Sequence, residues 1–203
     1  VSICTENCLA KTTEAWYEGR RMEKKPSYFL WLDMEMTGLD EKTDSILEVA
    51  LIITDLDFNP IDTYHRVIFQ PQEVLDRMDT WCKNTHGKSG LTEAVKHGEM
   101  LHNAEKEICE MVTKYFKTER AVLCGNSIHQ DRKFIDQYMR DFAKLLHYRI
   151  VDVSSFKEIF KRKYNQDYKK TKDGHRALDD VQESINELKY FLSVVEAAQQ
   201  AKA

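Results

Sequence analysis

The run Phe29-Leu30-Trp31-Leu32-Asp33-Met34-Glu35-Met36 carries an apolar stretch straight into two carboxylates separated by a single residue. The apolar part reads as a buried strand, and on a strand residues i and i+2 face the same way. Asp33 and Glu35 therefore stand side by side at the edge of a core. Two like charges so placed repel each other and lose hydration, which is costly unless a cation binds between them. The segment constrains the chain twice, to a sheet with an apolar interior and to a metal site at the end of one of its strands.

The surrounding pattern predicts an α/β architecture. After a first strand over about 28–34, a turn through Thr37-Gly38-Leu39-Asp40 leads to a second apolar strand over 46–53, and Asn59-Pro60 marks the turn into a third that ends near Phe69. Short connections make these three an antiparallel meander. Helical patterns follow: a short helix after Pro71, another near 91–95, and a longer one over 101–116 with Ile108, Met111, Val112, Tyr115 and Phe116 as its apolar residues. Strands at 121–124 and 149–153 bracket a helix over 131–142, which predicts a right-handed parallel unit. A last long helix aligns Leu178, Val181, Ile185, Leu188 and Leu192, and the polar, basic residues 161–174 before it read as the longest loop. The expected sheet is mixed and five-stranded, antiparallel in its first three strands, parallel in its last two, and flanked by helices.

A chain of 203 residues is one domain with a single large core, and no apolar run approaches the roughly 18 residues of a membrane span. The net charge of −4 excludes a general positive field for coating long nucleic acid. Five cysteines, an odd number with no metal-type quartet, fit a reducing compartment, cytoplasmic or mitochondrial, better than secretion. Residues 1–27 lack hydrophobic periodicity and are expected to be a partly disordered extension. Glu6, Glu14, Glu18 and Glu23 there speak against an intact organelle transit peptide.

Further acids join the first pair. Asp131 falls in the first turn of a helix whose apolar face is Phe134, Ile135 and Tyr138, so it points to the buried side, either as an acid at a helix N-terminus or as a metal ligand. In His175-Arg176-Ala177-Leu178-Asp179-Asp180, about 100° per residue places Asp180 at the flank of the apolar stripe and Asp179 nearly opposite it. Asp180 is the better inward ligand. His175, just past Gly174 at a loop-to-helix junction, is either a surface residue or an imidazole able to swing into a site. Four carboxylates form a hard oxygen set suited to Mg²⁺ or Mn²⁺, and two such ions about 3.5–4 Å apart can activate a water for in-line displacement at phosphorus. A histidine then serves as general base.

Asp33-Met34-Glu35, Asp131, and His175 followed five residues later by Asp180 resemble the signature blocks of the DEDDh 3′→5′ exonucleases, a family of ribonuclease H-like fold. Leu32 to Leu39, Met78 to Trp81, Thr85 to Leu91, Cys124 to Asp131 and His147 to Ser154 narrow the likeness to its oligoribonuclease branch, whose members degrade very short RNA, and His129 with Trp81-Cys82-Lys83 is closer to the eukaryotic form. The likeness spans about 28–195, leaving 196–203 as a tail. It implies a metal-dependent enzyme with Asp33, Glu35, Asp131 and Asp180 as ligands of two ions and His175 as base. It further implies Leu39 as a wedge between bases, Trp81 as a stacking platform, Ser127, Arg149 and Ser154 around a 5′ phosphate, and Tyr148 reaching across a twofold homodimer. Pattern alone would assign Leu39, Trp81 and Tyr148 to the core. The rival expectations are a DEDDh exonuclease acting on longer RNA or DNA strands and a catalytically silent oligonucleotide-binding module.

Overall fold

The computed structural model describes residues 28–117, 119–170 and 175–200, so the expectations for residues 1–27 lie outside the described part. Five strands form one sheet: β1 (Phe29–Met36), β2 (Ile46–Thr54), β3 (Pro60–Val67), β4 (Ala121–Gly125) and β5 (Leu146–Asp152). Their spatial order is β3-β2-β1-β4-β5. β1–β2 and β2–β3 pair antiparallel and β4–β5 parallel, as the sequence pattern predicts, and the two parts join through a parallel β1–β4 pairing that the pattern does not specify.

Side-chain alternation along β1 divides the interior into two layers. Leu30, Leu32 and Met34 face a core shared with α4 (Leu101–Phe116), α5 (His129–Tyr138) and α6 (Arg140–Leu145) through Ile108, Phe134 and Phe142. Trp31 faces the opposite core, where Val181, Ile185 and Leu188 of α8 (Ala177–Gln200) cover Ala50 and Ile52. The two-residue period of a strand puts Asp33 and Glu35 on that same α8 side. A smaller cluster beneath α1 (Gln72–Asp76), α2 (Thr80–Lys88) and α3 (Leu91–Val95) packs Leu47 against Leu75, Cys82 and Leu91.

Gly125 permits the approach of β4 to β1 just where the carboxylates begin. A Cβ there would lie 2.6 Å from the carbonyl oxygen of Leu32, so any side chain would push the two strands apart.

Several boundaries depart from the sequence expectation. The helix expected over 131–142 is two helices, α5 and α6, broken at the fully buried Met139, whose φ of −126° and ψ of 63° leave the helical region. α2 was not anticipated because it buries only Cys82 and His86 and so shows no apolar stripe. α7 (Val153–Tyr164) begins immediately after β5 and occupies the first part of the segment expected to be a loop. Its signals are Asp152 accepting from the N–H of Ser154, and apolar Val153, Phe156 and Phe160 at helical spacing. α8 continues to Gln200, across the boundary expected at 195. Among the described residues no helix is long and apolar enough to cross a membrane.

Candidate active site

Asp33 and Glu35 at the end of β1 meet Asp180 from the first turn of α8, and one carboxylate oxygen from each lies within 4.8 Å of the other two. Asp180, not Asp179, is the acid that joins the cluster. Asp131 lies beside these three, and its charge acts on Asp33. It is buried in the first turn of α5, its Oδ1 accepts the backbone N–H of Met34 at 3.0 Å, and it lines a cavity of about 330 Å³ together with Asp33, Leu39 and Ser127. The backbone bond ties α5 to the strand residue between Asp33 and Glu35.

The acids cannot all ionise comfortably. Burial, followed by repulsion from Asp131, Asp180 and Glu35, raises the Asp33 carboxyl well above the usual range. Burial and the charge of Asp180 push Glu35 up to about 8, and burial pushes Asp131 up to about 7. One cation already attends the cluster: the Lys170 ammonium sits 2.8 Å from Asp180 Oδ1 and lowers the Asp33 carboxyl. An all-oxygen donor set with excess negative charge fits a hard divalent ion. Asp33, Glu35 and Asp180 would hold it, with Asp131 beside them.

A pH prediction follows from the direction of these shifts. A carboxyl whose folded-state pKa is raised keeps its proton in the folded form, so stability falls as pH climbs from its ordinary value toward the raised one. For Glu35 that interval runs from 4.5 to about 8. The metal-free melting temperature should decline across it, and the gain on adding Mg²⁺ or Mn²⁺ should grow. A metal-free melting temperature that is flat or rising from about pH 5 to 8 would contradict this electrostatic account.

Beside the acids, Glu35, Leu39, Trp81 and His86 line a second cavity of about 420 Å³. Both cavities lie within the range of small-ligand sites, about 300–1,000 Å³. Leu39 is 71% exposed, Trp81 61% and Tyr148 75%, which overturns their assignment to the core by pattern alone. The Gln130 side-chain amide donates to the Leu39 carbonyl and so braces that loop from α5. Trp81 is fixed in the first turn of α2, whose preceding Asp79 accepts the N–H of Cys82 at 2.7 Å. His86 had drawn no role from its sequence. Its Nε2 lies 2.9 Å from the Met36 carbonyl, which can only accept, so the proton is on Nε2 and Nδ1 carries a lone pair. Nδ1 is buried without a hydrogen-bond partner, 3.9 Å from Glu35 Oε2, and burial lowers the imidazole pKa.

His175 is exposed at the entry to α8, in a left-handed backbone conformation with φ of 42°. Its ring meets Trp81 edge-on at 6.0 Å between centroids. Trp81 itself lines the larger cavity, so the imidazole stands beside a residue of the cavity wall.

Of the remaining expected residues, Ser127 and Ser154 meet just past the ends of β4 and β5, whereas Tyr148 and Arg149 lie within β5. Ser127, with φ of 49°, donates its N–H to both Asp152 Oδ1 and Ser154 Oγ, and the two serine hydroxyls are 3.1 Å apart. His129 Nδ1 lies 3.2 Å from the other Asp152 oxygen. Arg149 on β5 places its guanidinium over the ring of Tyr148, 5.2 Å from the centroid, and is not hydrogen-bonded to the serines. β5 is an edge strand, and Tyr148 projects from it into solvent.

The sheet order and the carboxylates at the end of its central strand define a ribonuclease H-like nuclease fold. The family described as Exonuclease, RNase_T, matches residues 30–188, and the chain belongs to it. Within that family it belongs with the oligoribonucleases. It is 47% identical over 174 residues to the mitochondrial oligoribonuclease of Bos taurus, covering 83% of this chain and 73% of that one. It is 42% identical to the oligoribonuclease of Thiobacillus denitrificans, covering 84% of this chain and 96% of that one. Among solved structures, the zinc-bound complex of E. coli exonuclease I with single-stranded DNA aligns with a TM-score of 0.61 at 18% identity, covering 81% of this chain. The chain spans about 40% of that larger protein, and the likeness is one of fold.

Proposed function

We propose that this protein is a 3′→5′ exoribonuclease that degrades RNA oligonucleotides of a few residues, dinucleotides above all, to 5′-mononucleotides. The observation that carries the reading is the junction of two features. A charge-strained cluster of Asp33, Glu35 and Asp180 opens beside a cavity that presents exposed Leu39 and Trp81 rather than a basic groove. Membership of the oligoribonuclease family supports it, and the net charge of −4 disfavours long strands.

Two ions, Mg²⁺ or Mn²⁺, held by these acids with Asp131 would supply positive charge for the reacting phosphate and lower the pKa of a water. The chain's own groups do the rest. Trp81 stacks one base, an interaction that tolerates any sequence at about 1–3 kcal/mol, while Leu39 separates it from the next. His175, neutral, accepts a proton from the attacking water. The new P–O bond forms as the bond from phosphorus to the 3′ oxygen of the preceding nucleoside breaks, which releases a 5′-mononucleotide. Ser127, Ser154 and Arg149 hold the 5′ phosphate of a dinucleotide and thereby sense length. Tyr148 completes the site of a partner subunit in a homodimer, paired through the exposed edge strand. The mitochondrial relatives favour a mitochondrial setting.

Incubation with Mn²⁺ and a 5′-labelled ladder of two to about twenty nucleotides tests the activity. Nucleotides leaving one at a time from the 3′ end support it, whereas endonucleolytic products or no cleavage overturn it. Arg149→Ala, which removes a charge-assisted contact of about 1.5–3 kcal/mol, should weaken 5′-phosphorylated dinucleotides about 10- to 100-fold and affect longer strands less. An equal loss at every length would remove Arg149 from the phosphate site. Mixed dimers of Tyr148→Ala and His175→Ala subunits test the trans contribution: a tyrosine acting across the interface gives one fully intact site per mixed dimer and restores activity, whereas a tyrosine acting within its own subunit gives none.

A further inference from the structure

Glu48 is the one charged residue within β2, fully buried and paired directly across the sheet from Glu35. A buried carboxylate is tolerated only when its oxygens are satisfied. Here they are saturated. Arg176 donates through Nε at 2.9 Å and Nη2 at 2.5 Å to Oε1, His65 Nε2 lies 2.6 Å from the same oxygen, and the backbone N–H of Ala177 donates to Oε2 at 3.0 Å. Burial alone would raise the Glu48 pKa, but the hydrogen bonds from His65 and Arg176 outweigh it and bring the value down to about 2.

Besides His65, Glu48 grips Arg176 and Ala177, the two residues that follow His175. That histidine sits in a left-handed conformation unfavourable to a side chain with a Cβ, at the exposed end of its segment, with its ring edge-on to Trp81. The same grip fixes the first residue of α8, three before Asp180.

We propose that Glu48 and Arg176 form a positioning clamp that fixes the backbone carrying His175 at the entry to α8, binding neither substrate nor metal themselves. The clamp connects the strand facing Glu35 to the base and rests on the reading of His175 as the proton acceptor. It acts on turnover rather than on binding, because displacing a base by about 1 Å can cost about 10²-fold while stacking on Trp81 and Leu39 is untouched.

The test is a double-mutant cycle on the Mn²⁺-loaded protein with a diribonucleotide substrate. Glu48→Gln keeps an acceptor for the Ala177 N–H, and the Arg176 side chain it releases is about one-third exposed and can be hydrated. It should lower kcat about 10- to 100-fold with KM and apparent Mn²⁺ affinity within about threefold of wild type. In a His175→Ala background the same change should cost less than about threefold, since no base remains to misplace. Arg176→Gln, with its melting temperature measured alongside, provides a second arm if Glu48→Gln does not fold. Arg176→Lys should recover part of the lost turnover. Equal losses in both backgrounds, or a loss confined to KM, overturn the clamp while leaving the exoribonuclease reading intact. A wild-type protein that cleaves no oligonucleotide overturns both.

Discussion

Asp33→Asn is expected to eliminate measurable hydrolysis, a fall of at least about a thousandfold, while the metal-free protein becomes more stable. Asp33 lies at the centre of the electrostatic strain, since Asp131, Asp180 and Glu35 all raise its carboxyl after burial has done so. An amide keeps the shape but removes one of the three converging charges, so the divalent ion loses a ligand and the reacting phosphate loses several kcal/mol of charge stabilisation. About 1.4 kcal/mol per decade of rate makes that the stated loss. The apo fold, relieved of repulsion, should melt higher. Activity assays in excess Mg²⁺ and Mn²⁺, paired with melting curves in chelator, check both halves. Retained turnover, or a lower metal-free melting temperature, would contradict the assignment of Asp33 to the metal site.

His175→Ala should reduce turnover by about 10²–10⁴-fold, the range for a positioned general base, with metal-dependent stabilisation retained. The imidazole meets Trp81 edge-on and does not belong to the carboxylate cluster. Loss of the base should therefore lower kcat far more than it raises KM. A mutant that loses the melting-temperature gain on Mn²⁺ addition, yet turns over normally at saturating Mn²⁺, would make His175 a metal ligand instead.

How much of this was legible in the sequence depends on what each residue's neighbours contribute. Strand parity predicts that Asp33 and Glu35 share a face, and helical geometry selects Asp180 over Asp179 for the cluster; both are local arguments about one element. Asp131 reaches the cluster through an anchor that no local pattern shows, the bond from the Met34 N–H to its Oδ1 across 97 residues. The exposure of Leu39, Trp81 and Tyr148 likewise depends on where loops and an edge strand end in space. Glu48 was detectable in principle, as a lone acid inside a nine-residue apolar strand that must find a partner. Its partner Arg176, 128 residues away, was not. Helix α2 escaped because its capping signal, Asp79, precedes a segment with almost no apolar side to bury.

The central claim, that this site is built for the shortest RNA, is tested most directly by kcat/KM for a 5′-phosphorylated diribonucleotide and for a strand of about ten nucleotides, measured side by side with the same metal. The proposed grip of Ser127, Ser154 and Arg149 on the 5′ phosphate predicts a value larger for the dinucleotide by about tenfold or more, equivalent to about 1.4 kcal/mol. Equal values, or a preference for the longer strand, would contradict it.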